Sequence, residues 1–578
     1  MLVRARIFQR NVKHLFIVWP MLVLIGCANQ AEKPPAVPKQ HPLPLTTVEA
    51  SEPFKQETLY SLLSAEIGLV RGRYELGLNN YIQQARDTQD LNVTARATEV
   101  ARILKRHPES LEMAEQWRAL DPSSEEARFI LISEYTTSGQ YLDAFREAKR
   151  LLVAGKQPKF SDIAINASRN ENTDNATLTE EFEEAVLKYP SNIELLIGSS
   201  VLLHQQEQYD LALARTESAE AIEPDNVHAI YQRFVTLRSM GRGLEATNAY
   251  GLLVKIQPEN REIRKSYARM LVDHDLTAAQ EQYVMLHESD ASDSESKVAL
   301  AITQHELGDL DEAERHFVEL LNQGKHTAIA NFSLGQMAYE REDYQTALKH
   351  YSEVNEGRRF VQAATRAANL ITDLSGFDQA RAFLAEKRQN ASEQHQQSLY
   401  VVEASTLDSE AAVLLLNQAL EKHPSSVNLR YSRGMQFAAL RQPERAEQDF
   451  LAILDVTPDD ANTLNSLGYT LLSQTSRIDE AGQYIKAAIE IDDQNAAILD
   501  SMGWYLFKKG DPEKALGYLE RAYASFKDDE VAAHLGEVYW ALGKRSKAKK
   551  TWQEGLELNP NGVFINETIK RLNVPWGE

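Results

Sequence analysis

Apolar residues recur along most of the chain at the three- and four-residue spacing of amphipathic helices, and prolines interrupt these helical stretches at a fixed interval. Pro190, Pro224 and Pro258 lie 34 residues apart, and Pro424 and Pro458 have the same separation. Each follows an apolar helical segment, as in EAVLKYP and LAILDVTP. Because proline cannot continue a helix, it marks the turn after each one. The pattern predicts one helical unit repeated along the chain.

Small residues also recur at fixed places in this pattern. Glycines that share one place in the unit are Gly335, Gly434, Gly468, Gly503 and Gly536. An alanine follows twelve residues later, at Ala347, Ala446, Ala515 and Ala548, or thirteen residues later at Ala481. This pattern resembles the tetratricopeptide repeat, a 34-residue unit in which small residues allow two antiparallel helices to cross closely. The resemblance implies an all-α superhelical solenoid of about 11–15 helix-turn-helix units.

Fifteen repeats fit when this register is extended towards the amino terminus. The copies that begin near residues 91, 159, 261 and 361 carry little of the motif and depend mainly on spacing. The predicted repeat starts are residues 58, 91, 125, 159, 193, 227, 261, 294, 328, 361, 393, 427, 461, 496 and 529.

The amino-terminal segment is of a different kind. Four basic residues lie within residues 4–13, and residues 15–25 form an apolar run that is too short for a stable membrane span. The run ends at Leu24, Ile25 and Gly26, which precede Cys27, the single cysteine of the chain. This arrangement resembles the lipobox of bacterial lipoproteins. The resemblance implies a signal peptide over residues 1–26 and lipidation of Cys27, which would anchor the protein to a membrane.

A proline-rich stretch separates this cysteine from the repeats. Residues 27–57 hold six of the 19 prolines and show no apolar periodicity, which predicts an extended tether. Ala28 follows the cysteine, where an aspartate would signal retention at the inner membrane. We therefore expect an outer-membrane, lipid-anchored protein facing the periplasm of a Gram-negative bacterium. The solenoid is predicted over residues 58–562, and a C-terminal helix and tail over residues 563–578.

Composition narrows the classes of function. The net charge is −22, with 84 acidic against 62 basic residues, which argues against nucleic acid as a partner. One cysteine excludes internal disulfides, cysteine-based zinc sites and CxxC redox chemistry. The sequence lacks the GxGxxG, P-loop, GxSxG and HExxH motifs, and its histidines are scattered singly over predicted helices. We therefore expect no catalytic site, no metal and no cofactor.

Tetratricopeptide repeats imply a concave surface lined by the first helix of each unit, chiefly at its second, fifth, ninth and twelfth positions. Large rigid rings at these positions suit an extended peptide or a partner helix. The alternative for any one ring is a structural contact between adjacent repeats. The candidate groove-lining residues in this register are Tyr231, Phe332, Tyr339, Tyr431, Tyr469, Trp504, Phe507 and Trp540.

Residues 59–90 near the start, and LNSLGYTLL (464–472), AILDSMGWYLFKKG (497–510) and DDEVAAHLGEVYWALGK (528–544) near the end, narrow the resemblance further, and LYSLLSAE and AHLGEVYWA within them go beyond the repeat consensus. They resemble a family of long tetratricopeptide lipoproteins of Gram-negative bacteria. At least one member is an outer-membrane adaptor that delivers cell-wall hydrolases to a periplasmic carboxy-terminal processing protease. The resemblance implies a non-enzymatic scaffold with these protein partners. The alternatives are an assembly factor for exopolysaccharide export or for an outer-membrane secretion machine, and an enzyme that degrades the cell wall.

Overall fold

A computed structural model describes residues 54–170 and 175–575, and in these ranges the chain forms 31 helices and no strand. The predicted signal peptide, the lipobox residues Leu24, Ile25, Gly26 and Cys27, and most of the predicted tether lie outside the described residues. The described part divides into two compact units, and the boundary along the chain lies between Gly308 and Asp309. The all-α solenoid prediction is confirmed.

The first unit contains fifteen helices. They are α1 Gln56–Val70, α2 Tyr74–Thr88, α3 Leu91–Ile103, α4 His107–Leu120, α5 Glu125–Thr137, α6 Tyr141–Val153, α7 Phe160–Ser168, α8 Ala176–Lys188, α9 Ile193–Gln205, α10 Tyr209–Ile222, α11 Val227–Ser239, α12 Gly243–Ile256, α13 Arg261–Leu271, α14 Leu276–Ser289 and α15 Ser294–Leu307.

The second unit contains the remaining sixteen. They are α16 Leu310–Asn322, α17 Thr327–Glu340, α18 Tyr344–Ser352, α19 Phe360–Ser375, α20 Phe377–Gln389, α21 Glu393–Ala404, α22 Ser409–Lys422, α23 Val427–Ala439, α24 Pro443–Leu454, α25 Ala461–Gln474, α26 Ile478–Ile491, α27 Ala496–Lys508, α28 Pro512–Ser525, α29 Asp529–Ala541, α30 Arg545–Leu558 and α31 Val563–Arg571.

The odd-numbered helices α1 to α29 are the first helices of the repeats, and each begins within two residues of a predicted repeat start. This includes α3, α7, α13 and α19, whose sequences carry little of the motif. At the amino-terminal end α1 begins at Gln56, so helix occupies the last two residues that the sequence assigned to the tether. The helix α31 forms the predicted C-terminal helix.

Most first helices begin after a polar residue whose side chain accepts hydrogen bonds from the free N–H groups of the first turn. Asp90 Oδ1, for example, accepts from the N–H groups of Asn92 at 2.9 Å and Val93 at 3.0 Å. Each such cap stabilises its helix by about 0.5–2 kcal/mol, and the caps recur with the repeat. The capping residues are Asp90, Ser124, Asn192, Asn226, Asn260, Asp293, Ser392, Ser426, Asp460, Asn495 and Asp528.

Ion pairs connect helices of neighbouring repeats. The buried carboxylate of Glu147 in α6 accepts from Arg118 Nη1 in α4 at 2.6 Å and from Arg128 Nη1 in α5 at 2.5 Å, and it also pairs with Arg150. A carboxylate removed from water stays charged at low cost only when such partners surround it. Glu147 therefore links α4 and α6, the second helices of two consecutive repeats, through ion pairs.

The last helix covers the end of the second unit. The carboxylate of Asp529 accepts a hydrogen bond from the backbone N–H of Phe564 at 3.1 Å, which binds the start of α31. Arg571 Nη1 near its end donates to Glu537 Oε1 in α29 at 2.7 Å. The apolar side of the final repeat is thus closed by helix α31.

Candidate functional site

In each of the two units, the candidate site is the surface formed by the second, fifth, ninth and twelfth positions of the first helices, called the first-helix surface below. The structure places the eight predicted rings on first helices, but their exposure differs widely. Tyr231 and Tyr339 are 41% and 50% exposed, whereas Phe332 and Trp504 are 6% and 7% exposed. The half-buried rings are Tyr431, Tyr469, Phe507 and Trp540.

Trp504 does not offer a free face. Its ring stacks on the imidazole of His534 with centroids 3.9 Å apart, and it also stacks on Phe507 with centroids 5.3 Å apart. Lys508 Nζ lies 4.6 Å from the Trp504 ring centre. The sequence analysis predicted that this indole lines the groove, but α29, the first helix of the following repeat, covers it.

His534 is itself held by a carboxylate. Its Nδ1 lies 2.9 Å from Asp500 Oδ2, and both side chains are buried. Burial by itself lowers the pKa of His534, but the charge and hydrogen bond of Asp500 and the charges of Glu530 and Glu537 outweigh it and hold that pKa above its usual value. The imidazole is therefore stabilised in its protonated form between the indole and the carboxylate.

A hydrogen bond closes this part of the first-helix surface. The hydroxyl of Tyr469 in α25 donates to Glu530 Oε1 in α29, two repeats further along the chain. A contact across an intervening repeat requires the three first helices to curve towards this side. Burial raises the pKa of the Glu530 carboxyl, although the bond from Tyr469 and the charge of His534 oppose that shift. Between α25 and α29, the surface is filled by the protein's own side chains.

Phe332 is buried in a different way. The guanidinium groups of Arg359 and Arg366 lie 5.0 Å and 4.9 Å from its ring centre. Arg366 Nη1 also donates to the hydroxyl of Tyr351 at 2.8 Å. The Phe332 ring therefore packs against two guanidinium cations, one just before and one within α19, the first helix of the next repeat.

The two exposed tyrosines each lie beside a second ring. Tyr339 meets Tyr344 edge to face with centroids 5.5 Å apart, and Tyr344 is exposed as well. Tyr231 lies 5.9 Å from Phe234, which is buried and holds it in place. Exposed rings fixed by a neighbour lose little conformational entropy when a partner covers them, so these positions are suited to binding.

One exposed ring on this surface was missed by the sequence analysis. Phe129 in α5 is exposed and lines a shallow cavity of about 400 Å³ together with Arg102, Glu126 and Ser133. It occupies the fifth position of its repeat, the same position as Tyr231. The register alone therefore contained the signal that would have identified it.

The described residues offer surfaces suited to binding a partner. Among residues 54–170 and 175–575, no three His, Cys, Asp or Glu side chains come together in a way that could hold a metal ion. In the same ranges, none of the helices combines the length and the apolar character required to span a bilayer. A fold of this type is typically a non-catalytic scaffold.

The fold and the first-helix surface together define a tetratricopeptide-repeat scaffold, a class of protein that binds other proteins. The tetratricopeptide-repeat family pattern matches residues 298–357, 431–496 and 501–563. A TPR repeat-containing protein of Pseudomonas aeruginosa is 31% identical over 579 residues, which cover 99% of this chain and 98% of that protein. The chain therefore belongs to the tetratricopeptide-repeat proteins, in one family with this bacterial relative.

More distant likenesses extend to other organisms. Sperm-associated antigen 1 of Mus musculus is 22% identical over 350 residues, which cover 53% of this chain and 38% of that protein. A thermophilic TPR protein of Thermus thermophilus aligns with a TM-score of 0.29 and 21% identity, over 32% of this chain and 100% of its own. The Naa15/Naa10 structure bound to HypK-THB aligns with a TM-score of 0.34 and 16% identity, over 72% of each chain.

Proposed function

We propose that this protein is a lipid-anchored, non-enzymatic adaptor of the outer membrane, facing the periplasm. It binds a carboxy-terminal processing protease and the cell-wall hydrolases that this protease degrades. The observation that carries the binding role is the repeated helix pair with exposed rings, Phe129, Tyr231 and Tyr339, on its first helices. The identity of the partners rests on the resemblance of the LYSLLSAE and AHLGEVYWA segments to the lipoprotein adaptors.

The physical basis of such an adaptor is effective concentration. A protease and a substrate held on one frame meet far more often than two proteins that diffuse freely, and this requires no new contact between them. Many repeats on one chain provide separate binding segments for two partners. From Tyr469 to Glu530 the first-helix surface is covered by the protein's own side chains, whereas elsewhere it exposes aromatic rings. Partner binding is therefore assigned to the exposed segments.

Attachment to the membrane is assigned to Cys27. The basic start, the short apolar run and the Leu24-Ile25-Gly26 sequence before the cysteine support lipidation. We expect Cys27→Ser to leave the protein unprocessed or to release it from the membrane fraction. Membrane attachment that survives this substitution unchanged would exclude the lipid anchor.

The partners are tested by affinity isolation of the mature chain from an envelope extract, followed by mass spectrometry. Recovery of a processing protease together with a cell-wall hydrolase is the expected result. Recovery of a polysaccharide synthase or a secretion β-barrel instead would favour the assembly-factor alternative. Wall-degrading activity of the purified chain would contradict the non-enzymatic role.

The binding surface is tested with the double variant Tyr231→Ala/Tyr339→Ala. Loss of two exposed hot-spot rings is expected to weaken partner binding at least tenfold, since such rings contribute about 2 kcal/mol or more each, with little effect on thermal stability. Phe526→Ala is the matched control, because Phe526 is similarly exposed but lies just after the second helix α28. Equal binding by both variants would exclude this surface.

A further inference from the structure

A cluster of basic side chains lies at the turn between α29 and α30, in a chain whose net charge is −22. Five of the seven residues from Lys544 to Lys550 are lysine or arginine, and no acidic residue occurs between Glu537 and Glu554. Four of the five basic side chains are exposed, and Lys549 is half-buried. These residues, called the basic turn below, are Lys544, Arg545, Lys547, Lys549 and Lys550.

Most side chains of the basic turn have no acidic partner. Lys550 forms an exposed pair with Glu554 at 3.8 Å. Arg545 lies over an aromatic ring of α29 instead, with its guanidinium carbon 4.9 Å from the ring centre of Trp540. Apart from Lys550, no residue of the basic turn forms an ion pair within residues 54–170 and 175–575. The positive charge of the turn is therefore not neutralised by the part of the chain that the structure describes.

The basic turn lies at the amino-terminal end of α30, where the helix dipole disfavours cations. This helix begins after Lys544, whose side chain forms no cap, and its first turn has no acidic residue. Every other second helix described in the second unit has an Asp or Glu at its N-cap or in its first turn. In α28, for example, Asp511 caps the helix and pairs with Lys514 at 2.7 Å. The basic turn therefore adds to the positive potential of a helix end at a cost in helix stability, which indicates an anionic ligand outside the chain.

The composition of the basic turn favours a membrane surface over a protein as this ligand. Four of its five cations are lysines, and lysine is depleted in protein–protein interfaces, whereas arginine is enriched there. Lysines on flexible stems act as point charges and bind the diffuse negative charge of lipid headgroups without a fixed geometry. No large apolar side chain is exposed between Lys544 and Lys550, so the contact depends on charge and not on insertion into the bilayer.

We propose that the basic turn binds the anionic phospholipid headgroups of a membrane surface. This contact is separate from the lipid proposed at Cys27, and it goes beyond the adaptor role because it attaches the last repeat itself to the membrane. The negative charge of the rest of the chain is repelled by an anionic surface, so binding is confined to this turn. Each lysine close to such a surface raises the binding constant about fivefold. Because the charges are exposed, salt screens them and weakens the contact.

Co-sedimentation with lipid vesicles tests this proposal. The mature chain with Cys27→Ser carries no lipid, so vesicle binding cannot come from the anchor. Vesicles of phosphatidylglycerol and phosphatidylethanolamine are expected to bind this chain at about 50 mM salt and to release most of it at about 300 mM. Vesicles of phosphatidylcholine alone are expected not to bind it at either concentration.

The double variant Lys544→Gln/Lys547→Gln removes two charges of the basic turn and is expected to weaken vesicle binding about tenfold or more. Lys188→Gln/Lys255→Gln is the matched control, because both lysines are exposed and form no ion pair within the described chain. Lys188 also lies over a tyrosine ring, as Lys547 does, and the distances from nitrogen to ring centre are 5.4 Å and 5.2 Å. This control is expected to bind the vesicles as the parent chain does.

Three results would overturn the proposal. Equal weakening in the two double variants would show that vesicle binding follows the net charge of the chain and not the basic turn. Equal binding to phosphatidylglycerol-containing vesicles and to phosphatidylcholine vesicles would show that anionic headgroups are not the ligand. If Lys544→Gln/Lys547→Gln binds vesicles normally but loses a protein partner, the basic turn is a protein interface instead.

Discussion

The indole ring of Trp552 in α30 packs directly over the backbone of Gly536 in α29. The same relationship recurs along the second unit. Gly434 faces Phe450, and a Cβ atom on this glycine would lie 2.8 Å from the ring. Gly503 faces Leu519 in the same way, again sixteen residues later. The repeated glycine is therefore required because a large side chain of the second helix occupies the space where its own side chain would be.

Replacing this glycine is expected to destabilise the repeat. In Gly536→Ala the added methyl group overlaps the fully buried Trp552 ring, and overpacking of this kind costs about 1–3 kcal/mol. Chemical denaturation monitored by helical circular dichroism measures the change.

Gly517→Ala is the matched control for this prediction. Gly517 lies inside α28, and nothing would contact an added Cβ there. Because glycine in a helix interior costs about 0.5–1 kcal/mol relative to alanine, this variant is expected to be equal to or more stable than the wild type. A similar loss of stability in both variants would contradict the close-packing interpretation.

The buried carboxylate of Glu147 leads to a second prediction. Glu147→Gln removes the charge that pairs with Arg118, Arg128 and Arg150, and because these arginines keep access to water the loss is expected to cost about 1–3 kcal/mol. Glu112→Gln is the control, because Glu112 also pairs with an arginine of a neighbouring repeat, Arg86, at 2.7 Å, but both groups are exposed.

We expect the control to change the free energy of unfolding by about 1 kcal/mol or less. The comparison is made by denaturation at low and at high salt. Salt should weaken the Arg86–Glu112 pair and have little effect on the Glu147 cluster, since screening acts on exposed charges. Equal costs for the two substitutions would show that the Glu147 cluster adds nothing beyond a surface pair.

The helices and their order could be predicted from the sequence because each is determined locally. The cap, the small residue and the proline recur at fixed intervals, so a repeat such as that of α7 is located even where its own motif is weak. The turn between the two helices of a repeat is harder to locate from the sequence. Gly72 and Gly510 adopt positive φ there, but Glu207 and Arg441 hold the same left-handed conformation at the same position without a glycine to indicate it.

The state of the first-helix surface could not be predicted because it depends on contacts between distant residues. Trp504 and Tyr231 are both aromatic residues at surface positions, and sequence pattern does not distinguish them. Trp504 is buried because His534 of the next first helix stacks on it. Tyr469 and Glu530 are 61 residues apart, and their contact depends on how strongly three repeats curve. Periodicity fixes which residues share a face, but it does not fix that curvature.

The bond between Tyr469 and Glu530 gives a third prediction. Tyr469→Phe keeps the ring but removes the hydroxyl, so a half-buried carboxylate loses its hydrogen-bond donor at a cost of about 1–3 kcal/mol. Tyr339→Phe is the control, because its hydroxyl lies on an exposed ring and its loss should change stability by less than about 0.5 kcal/mol. Hydrogen exchange should show faster exchange in α25 to α29 for Tyr469→Phe alone. Unchanged exchange there would show that the bond does not hold the three repeats together.

The pair of Asp500 and His534 makes stability depend on pH in a defined direction. The pKa of His534 in the folded protein lies above the value near 6.5 of an unfolded histidine. Its protonated form therefore stabilises the fold fully below about pH 6.5. That contribution is lost as the pH rises through the folded-state pKa. The free energy of unfolding is accordingly expected to fall as the pH is raised from about 6.5.

Asp500→Asn tests this assignment because it removes the carboxylate that outweighs burial at His534. The variant is expected to be less stable than the wild type near pH 6, and its stability should fall less steeply above pH 6.5. Asp479→Asn is the control, since Asp479 forms an exposed pair with Lys509 at 2.7 Å and its own pKa is lowered by that partner, so it titrates only in acid. Denaturant titrations of the three proteins between pH 5 and 9 measure the slopes. Parallel slopes for the wild type and Asp500→Asn would mean that the Asp500 carboxylate does not raise the pKa of His534, because an altered proton uptake on folding must appear as an altered slope.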